Sequence, residues 1–140
     1  MTVFLDTNVL IDFLTARGAF GPNARAIVRI CNGGNLLRGC FSSLSACNIV
    51  YILRNQFDDE VLRNQVLALG SILEMLDTRA AEVKAALASG NRDFEDAVQC
   101  ICAEDNGADV IITRDKDGFV NATIPVMTPG EFLLQFNKVP

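Results

Sequence analysis

Five aspartates in this chain fall where carboxylates could act together: Asp6, Asp93, Asp96, Asp115 and Asp117. Asp6 closes the apolar run Val3-Phe4-Leu5 and is followed by Thr7, Asn8 and apolar residues at helical spacing. Asp93 and Asp96 are three apart at an acid-rich helix start, which places them on one face. Asp115 follows Val110-Ile111-Ile112-Thr113, with Asp117 two positions on. Clustered carboxylates repel one another unless protons or a cation intervene. Hard oxygen donors in a chain without histidine suit Mg²⁺ or Mn²⁺. Such ions lower the pKa of a water, align it on a phosphodiester and stabilise the departing oxygen. Each aspartate also has an ordinary use: Asp6 as a helix cap, the others as caps and solvated loop residues.

The carboxylates meet only if the surrounding elements bring them to one sheet edge. Val3–Leu5 reads as a strand, followed by a short helix over Val9–Leu14 that Thr7 or Asn8 caps, with Asp12 on its solvent side. Gly18 to Pro22 breaks the pattern, and a helix runs over Asn23–Cys31. Arg38–Ser42 reads as a second strand. Ser42, Ser43 or Ser45 caps the next helix, which buries Ile49, Ile52 and Leu53. A helix starting near Asp58 carries Val61, Leu62, Val66, Leu69, Ile72 and Leu73 on its apolar face, and Met75-Leu76 reads as an edge strand. Thr78 is the expected cap of a helix through Leu87. The acid-crowded helix from Arg92 ends at Asn106-Gly107. Asp109–Thr113 is apolar at its centre, as expected of a strand covered on both faces. Val126-Met127 is a last strand, and Thr128-Pro129-Gly130-Glu131 opens a final helix with a cap, a proline and an acid. This alternation implies an α/β fold with a largely parallel sheet flanked by helices. If the first strand and Val110–Thr113 are neighbours, Asp6 and Asp115 converge beyond the carboxyl ends of the strands, where such sheets bind ligands.

Composition narrows the chemistry. A chain of 140 residues is read as one domain, 1–140, able to bury roughly two thirds of its unfolded surface. Half of it is apolar, which argues against disorder, and neither a membrane span nor an export signal is read. The five cysteines, Cys31, Cys40, Cys47, Cys100 and Cys102, mostly have apolar neighbours and read as core residues of a cytoplasmic protein, with metal ligation as the alternative. The absence of histidine removes His-based triads and the usual catalytic zinc sites. A net charge of -5 disfavours non-specific nucleic-acid binding, although a bound divalent cation inverts the local charge. An aspartate after the first strand also opens acid-phosphatase-like and phospho-receiver proteins. The haloacid-dehalogenase pattern wants a second aspartate where this chain has Asn8, and Lys116 is poorly placed for the lysine of a phospho-aspartate route.

Three segments together resemble the PIN-domain family of metal-dependent ribonucleases: Leu5-Asp6-Thr7-Asn8-Val9-Leu10, Asp93-Phe94-Glu95-Asp96-Ala97, and Ile112-Thr113-Arg114-Asp115-Lys116-Asp117-Gly118-Phe119. The resemblance covers nearly the whole chain. It implies a three-layer α/β/α sandwich around a mostly parallel five-stranded sheet, with one or two Mg²⁺ or Mn²⁺ ions and RNA as substrate. By resemblance Asp6, Asp96 and Asp115 are the catalytic metal-binding positions. Asp93 and Asp117 are further acids beside them, and Thr7, Asn8 and Thr113 are supporting polar residues. The departure is Asn48, where the family usually places a glutamate on the helix after the second strand; asparagine has one neutral carbonyl to offer. A subgroup resembles this chain in carrying asparagine there, followed by residues like Tyr51-Ile52-Leu53-Arg54. The resemblance further implies the toxin of a toxin–antitoxin pair, with an antitoxin protein partner and a homodimer. Arg17, Arg54, Arg92, Arg114 and Lys116 are the bases available for phosphates. The competing expectation is a catalytically weakened PIN-like domain that binds RNA or protein without turnover.

Overall fold

The computed structural model describes residues 1–16 and 18–137. The elements run β1 (Thr2–Leu5), α1 (Thr7–Thr15), α2 (Gly21–Asn32), β2 (Arg38–Ser42), α3 (Ser43–Leu53), α4 (Asp59–Leu69) and β3 (Glu74–Leu76). They continue with α5 (Ala80–Ala88), α6 (Phe94–Asp105), β4 (Val110–Ile112), a 3-10 turn (Lys116–Phe119), β5 (Val126–Met127) and α7 (Pro129–Phe136). The strands form one five-stranded sheet in the order β3-β2-β1-β4-β5, and every pairing is parallel. The first strand therefore lies at the centre, hydrogen-bonded to β2 on one side and β4 on the other.

Strand alternation divides the core in two. Val3, Leu5, Phe41, Val110 and Ile112 face α1 to α4 and α7, where they pack with Val9, Leu10, Ile27, Ile49, Leu53, Leu69 and Phe132. Phe4, Cys40 and Ile111 face the other layer and pack with Cys100, Cys102 and Ala103 of α6. Helix α5 backs onto α6 through Ala86, Ala97 and Val98. The result is the α/β/α sandwich that the resemblance implies. Four cysteines are buried, Cys47 is exposed, and none is disulfide-bonded. No described helix is long and apolar enough to cross a membrane.

Several local expectations are corrected. The cap of α1 is Asp6, its ordinary use named above, and not Thr7 or Asn8: its carboxylate accepts the Thr7 N–H at 2.8 Å. Asp12 is 1% exposed rather than solvated, because Arg114 reaches across to it from beyond β4. Ile52 and Val61 are exposed, since α3 and α4 bury narrower stripes than their sequences allow. Arg79 occupies the cap position of α5, while the Thr78 hydroxyl accepts the Leu44 N–H at 3.1 Å and tethers α3 instead.

Candidate metal centre

Three segments distant in sequence meet at the carboxyl ends of the central strands. Asp6 follows β1 and is 3% exposed. Its Oδ1 caps α1, and its Oδ2 accepts the Thr113 hydroxyl at 2.8 Å and the Asn8 amide at 3.4 Å. Thr113 follows β4, so this hydroxyl ties the ends of two adjacent strands. Helix α6 points its N-terminus at the same place: Asp93 caps it by accepting the Asp96 N–H at 3.0 Å, and Asp96 lies buried in its first turn. One carboxylate oxygen from each of Asp6, Glu95 and Asp96 lies within 4.8 Å of the other two. A cleft of about 380 Å³ opens over them, with Asp93 and Asp115 on its wall and Asn8 and Asn48 between.

Of the expected site residues, Asp6 and Asp96 thus come together, and Asp93 and Asp115 join them in lining the cleft. Asp115 is exposed, and its carboxylate accepts the Asp117 N–H at 3.2 Å. Asp117 itself is exposed and is not among the residues lining the cleft.

Glu95 is the residue that spacing missed. Neighbouring helix positions point about 100° apart, so a face drawn through Asp93 and Asp96 omits it. But Cβ atoms tilt toward a helix N-terminus. Where that terminus faces a site end-on, adjacent residues of the first turn can both reach it. The usable signal was Gln99, one turn after Glu95. Glu95 Oε1 accepts from Gln99 Nε2 at 2.9 Å, Asn48 Nδ2 at 3.0 Å and Thr7 Oγ1 at 3.4 Å. Gln99, itself fully buried, donates also to Ser45 Oγ at 2.9 Å and accepts from Ser42 Oγ at 2.6 Å. This polar layer beneath the site has its donors and acceptors paired, which fixes the orientation of the carboxylate above it.

Burial pushes the Asp6 carboxyl up to about 7, with the charge of Glu95 adding to it; the Thr113 hydroxyl and Thr7 amide pull the other way. Burial likewise raises Asp96, reinforced by its contact with Glu95 and by the charges of Asp6 and Asp93. The cluster can ionise fully only if positive charge enters it. Three closely spaced oxygen donors of this kind fit a hard divalent ion such as Mg²⁺ or Mn²⁺.

The bases expected to touch phosphate are mostly engaged elsewhere. Arg114 pairs with Asp12 at 2.6 Å and stacks over Phe20, Lys116 pairs with Glu131 at 2.9 Å, and Arg54 lies over the Tyr51 ring. Arg17 falls outside the described residues. Arg92 is exposed beside Asp93.

Gly118 is fitted to Asp96: a Cβ there would stand 1.7 Å from Asp96 Oδ2 and 2.7 Å from its Cγ. Gly118→Ala is therefore expected to push the 3-10 turn and the carboxylate apart, at a cost of about 1–3 kcal/mol in urea unfolding. Unchanged stability would show that the turn yields freely.

A family model described as the PIN domain matches residues 2–117. Ribonuclease VapC1 of Aquifex aeolicus (strain VF5) is 29% identical over 145 residues, spanning 98% of this chain and 96% of the relative. Among solved structures, DNA-bound VapBC from Salmonella typhimurium superposes with a TM-score of 0.70 at 20% identity, over 92% of this chain and 98% of that one. VapBC-1 from nontypeable Haemophilus influenzae does so with a TM-score of 0.69 at 16% identity, over 93% and 99%.

Proposed function

The chain belongs to the PIN-domain family, and from that premise we propose that it is a Mg²⁺- or Mn²⁺-dependent endoribonuclease. The observation that carries this reading is the convergence of Asp6, Glu95 and Asp96 at the end of the central strand, in an open cleft. Asp6, Glu95 and Asp96 would hold the ion, with Asp115 and Asp93 on the cleft wall to bind it through water. Asp117 stands farther out. Thr113, Thr7 and Asn8 keep the Asp6 carboxylate in one orientation. The ion supplies a lowered water pKa and positive charge at the departing oxygen. The acidic wall repels RNA phosphate by itself, so substrate binding depends on that charge and weakens with salt. Arg92, exposed and next in sequence to the cleft-lining Asp93, is the base we assign to meet the strand.

The relative named as a ribonuclease, and a toxin–antitoxin complex from Klebsiella pneumoniae that has the same fold, support a toxin role with an antitoxin partner. We take the protein to be a homodimer in the cytoplasm, where its unpaired cysteines would stay reduced.

Asp6→Asn removes one charge with little change of shape. It is expected to reduce Mn²⁺-dependent cleavage of single-stranded RNA by more than about a hundredfold, beyond the loss seen for outer-shell partners, with the circular dichroism spectrum unchanged. Full cleavage by a clean D6N preparation would sink the assignment. The second reading, a catalytically weakened module that binds RNA or protein, draws on Asn48 and the net acidity. It expects binding without turnover, and Mn²⁺-dependent cleavage that D6N abolishes removes it.

A further inference from the structure

We propose that the second carboxylate of this site has moved between helices: Glu95 of α6 supplies it, and Asn48 of α3 is the positioning residue that aims it. The inference rests on the metal-dependent reading above and reverses the expectation that asparagine at position 48 leaves a weakened site.

Asn48 lines the cleft beside Glu95 and donates its amide N–H to Glu95 Oε1 at 3.0 Å. A group acting through its N–H is a donor here, not a metal ligand. Gln99 and Thr7 donate to the same oxygen, at 2.9 Å and 3.4 Å. Asn48, Gln99 and Thr7 thus all reach Oε1 and none of them reaches Oε2, while across the cluster the Glu95 carboxylate meets the Asp96 carboxyl, whose proton an entering ion would replace. A carboxylate gripped at one oxygen is fixed in rotation, and its other oxygen is left for an ion. Glu95 offers a donor atom within 4.8 Å of those of Asp6 and Asp96. A glutamate at position 48 would set a second carboxylate against Oε1 in place of a donor, and like charges that close exclude each other unless one is protonated. Glu95 and a neutral donor at position 48 therefore belong together, as two halves of one exchange.

The exchange can be reversed. In N48E/E95Q the carboxylate sits on α3 and the residue-95 amide becomes its donor, so the charge of the site is kept while its source changes helix. Mn²⁺ titration by calorimetry on chelator-stripped wild type, D6N, E95Q, N48A and N48E/E95Q tests this, with thermal melts to show that each variant is folded. E95Q is expected to bind more than about a hundredfold more weakly than wild type, and N48A about tenfold more weakly although no charge is lost. N48E/E95Q is expected to return to within about threefold of wild type, a rescue that a merely structural role for Asn48 would not produce. Wild-type affinity in E95Q, or a double variant no tighter than E95Q, overturns the proposal. If D6N binds as wild type while E95Q does not, the assignment of Asp6 fails and the role of Glu95 stands. No saturable binding by the wild type overturns the functional reading and this inference with it.

Discussion

The metal-free protein is expected to lose stability as pH rises from about 5 to about 8, by roughly 3 kcal/mol from Asp6 alone, and saturating Mn²⁺ is expected to reverse the trend. The sign follows from Asp6, whose folded pKa is pushed up to about 7 from 3.8, with burial the largest cause. An acid whose pKa is raised by folding binds its proton more tightly in the native state. Its contribution is complete below the unfolded value and is lost as pH climbs through the folded one. Asp96 is raised as well, by burial first, and adds its own loss across the same window and above it. No histidine adds a titration of its own, because the chain has none. The depressed Glu131, near 2, acts only in acid, and the raised buried cysteines, near 11 to 12, act only above about pH 9. Thermal melts in chelator should show a fall on the order of 10 °C across the window. Asp6→Asn should remove the Asp6 share of the slope and melt higher than wild type at about pH 8. A flat wild-type profile, or an unchanged slope in D6N, would show that Asp6 is not the titrating group.

Arg114→Met is expected to cost about 3 kcal/mol, the low end for stranding one member of a buried pair. Asp12, 1% exposed on α1, accepts from Arg114 Nε at 2.6 Å and from Nη2 at 3.4 Å. The guanidinium also lies 4.3 Å from the centre of the Phe20 ring, and the Arg114 N–H donates to Asn8 Oδ1 at 3.2 Å. Methionine keeps most of the apolar length and removes the charge, so the Asp12 carboxylate is left buried without a partner. The arginine side chain is 26% exposed, which tempers the penalty. D12L/R114M should recover most of the loss, since an apolar pair needs no desolvated charge. Urea midpoints for the three proteins decide it: a single variant within about 0.5 kcal/mol of wild type would mean that water already shields Asp12.

The same ion pair shows where sequence reading stopped. Strand and helix alternation made the layers legible, and the apolar centre of Val110–Ile112 marked a strand covered on both faces. Asp6 and Asp96 were visible because each ends or begins an element. Asp12 was misread because its partner lies 102 residues away, and no local pattern encodes a partner at that distance. Glu95 was passed over for a different reason. Periodicity sorts residues by the side of a helix, whereas this site views α6 from its end. Asn48 was seen, but only as a missing acid. Its use as a donor depends on what stands opposite, and that is set by the packing of α3 against α6.

The central place of β1 has a consequence in time. Strand β1 is made before both of its neighbours, β2 and then β4, and the Asp6 carboxylate takes its Thr113 hydroxyl from 107 residues downstream. Closing so long a loop is slow relative to local contacts. The centre therefore cannot assemble on a nascent chain until β4 and Thr113 have been made, however early Asp6 emerges.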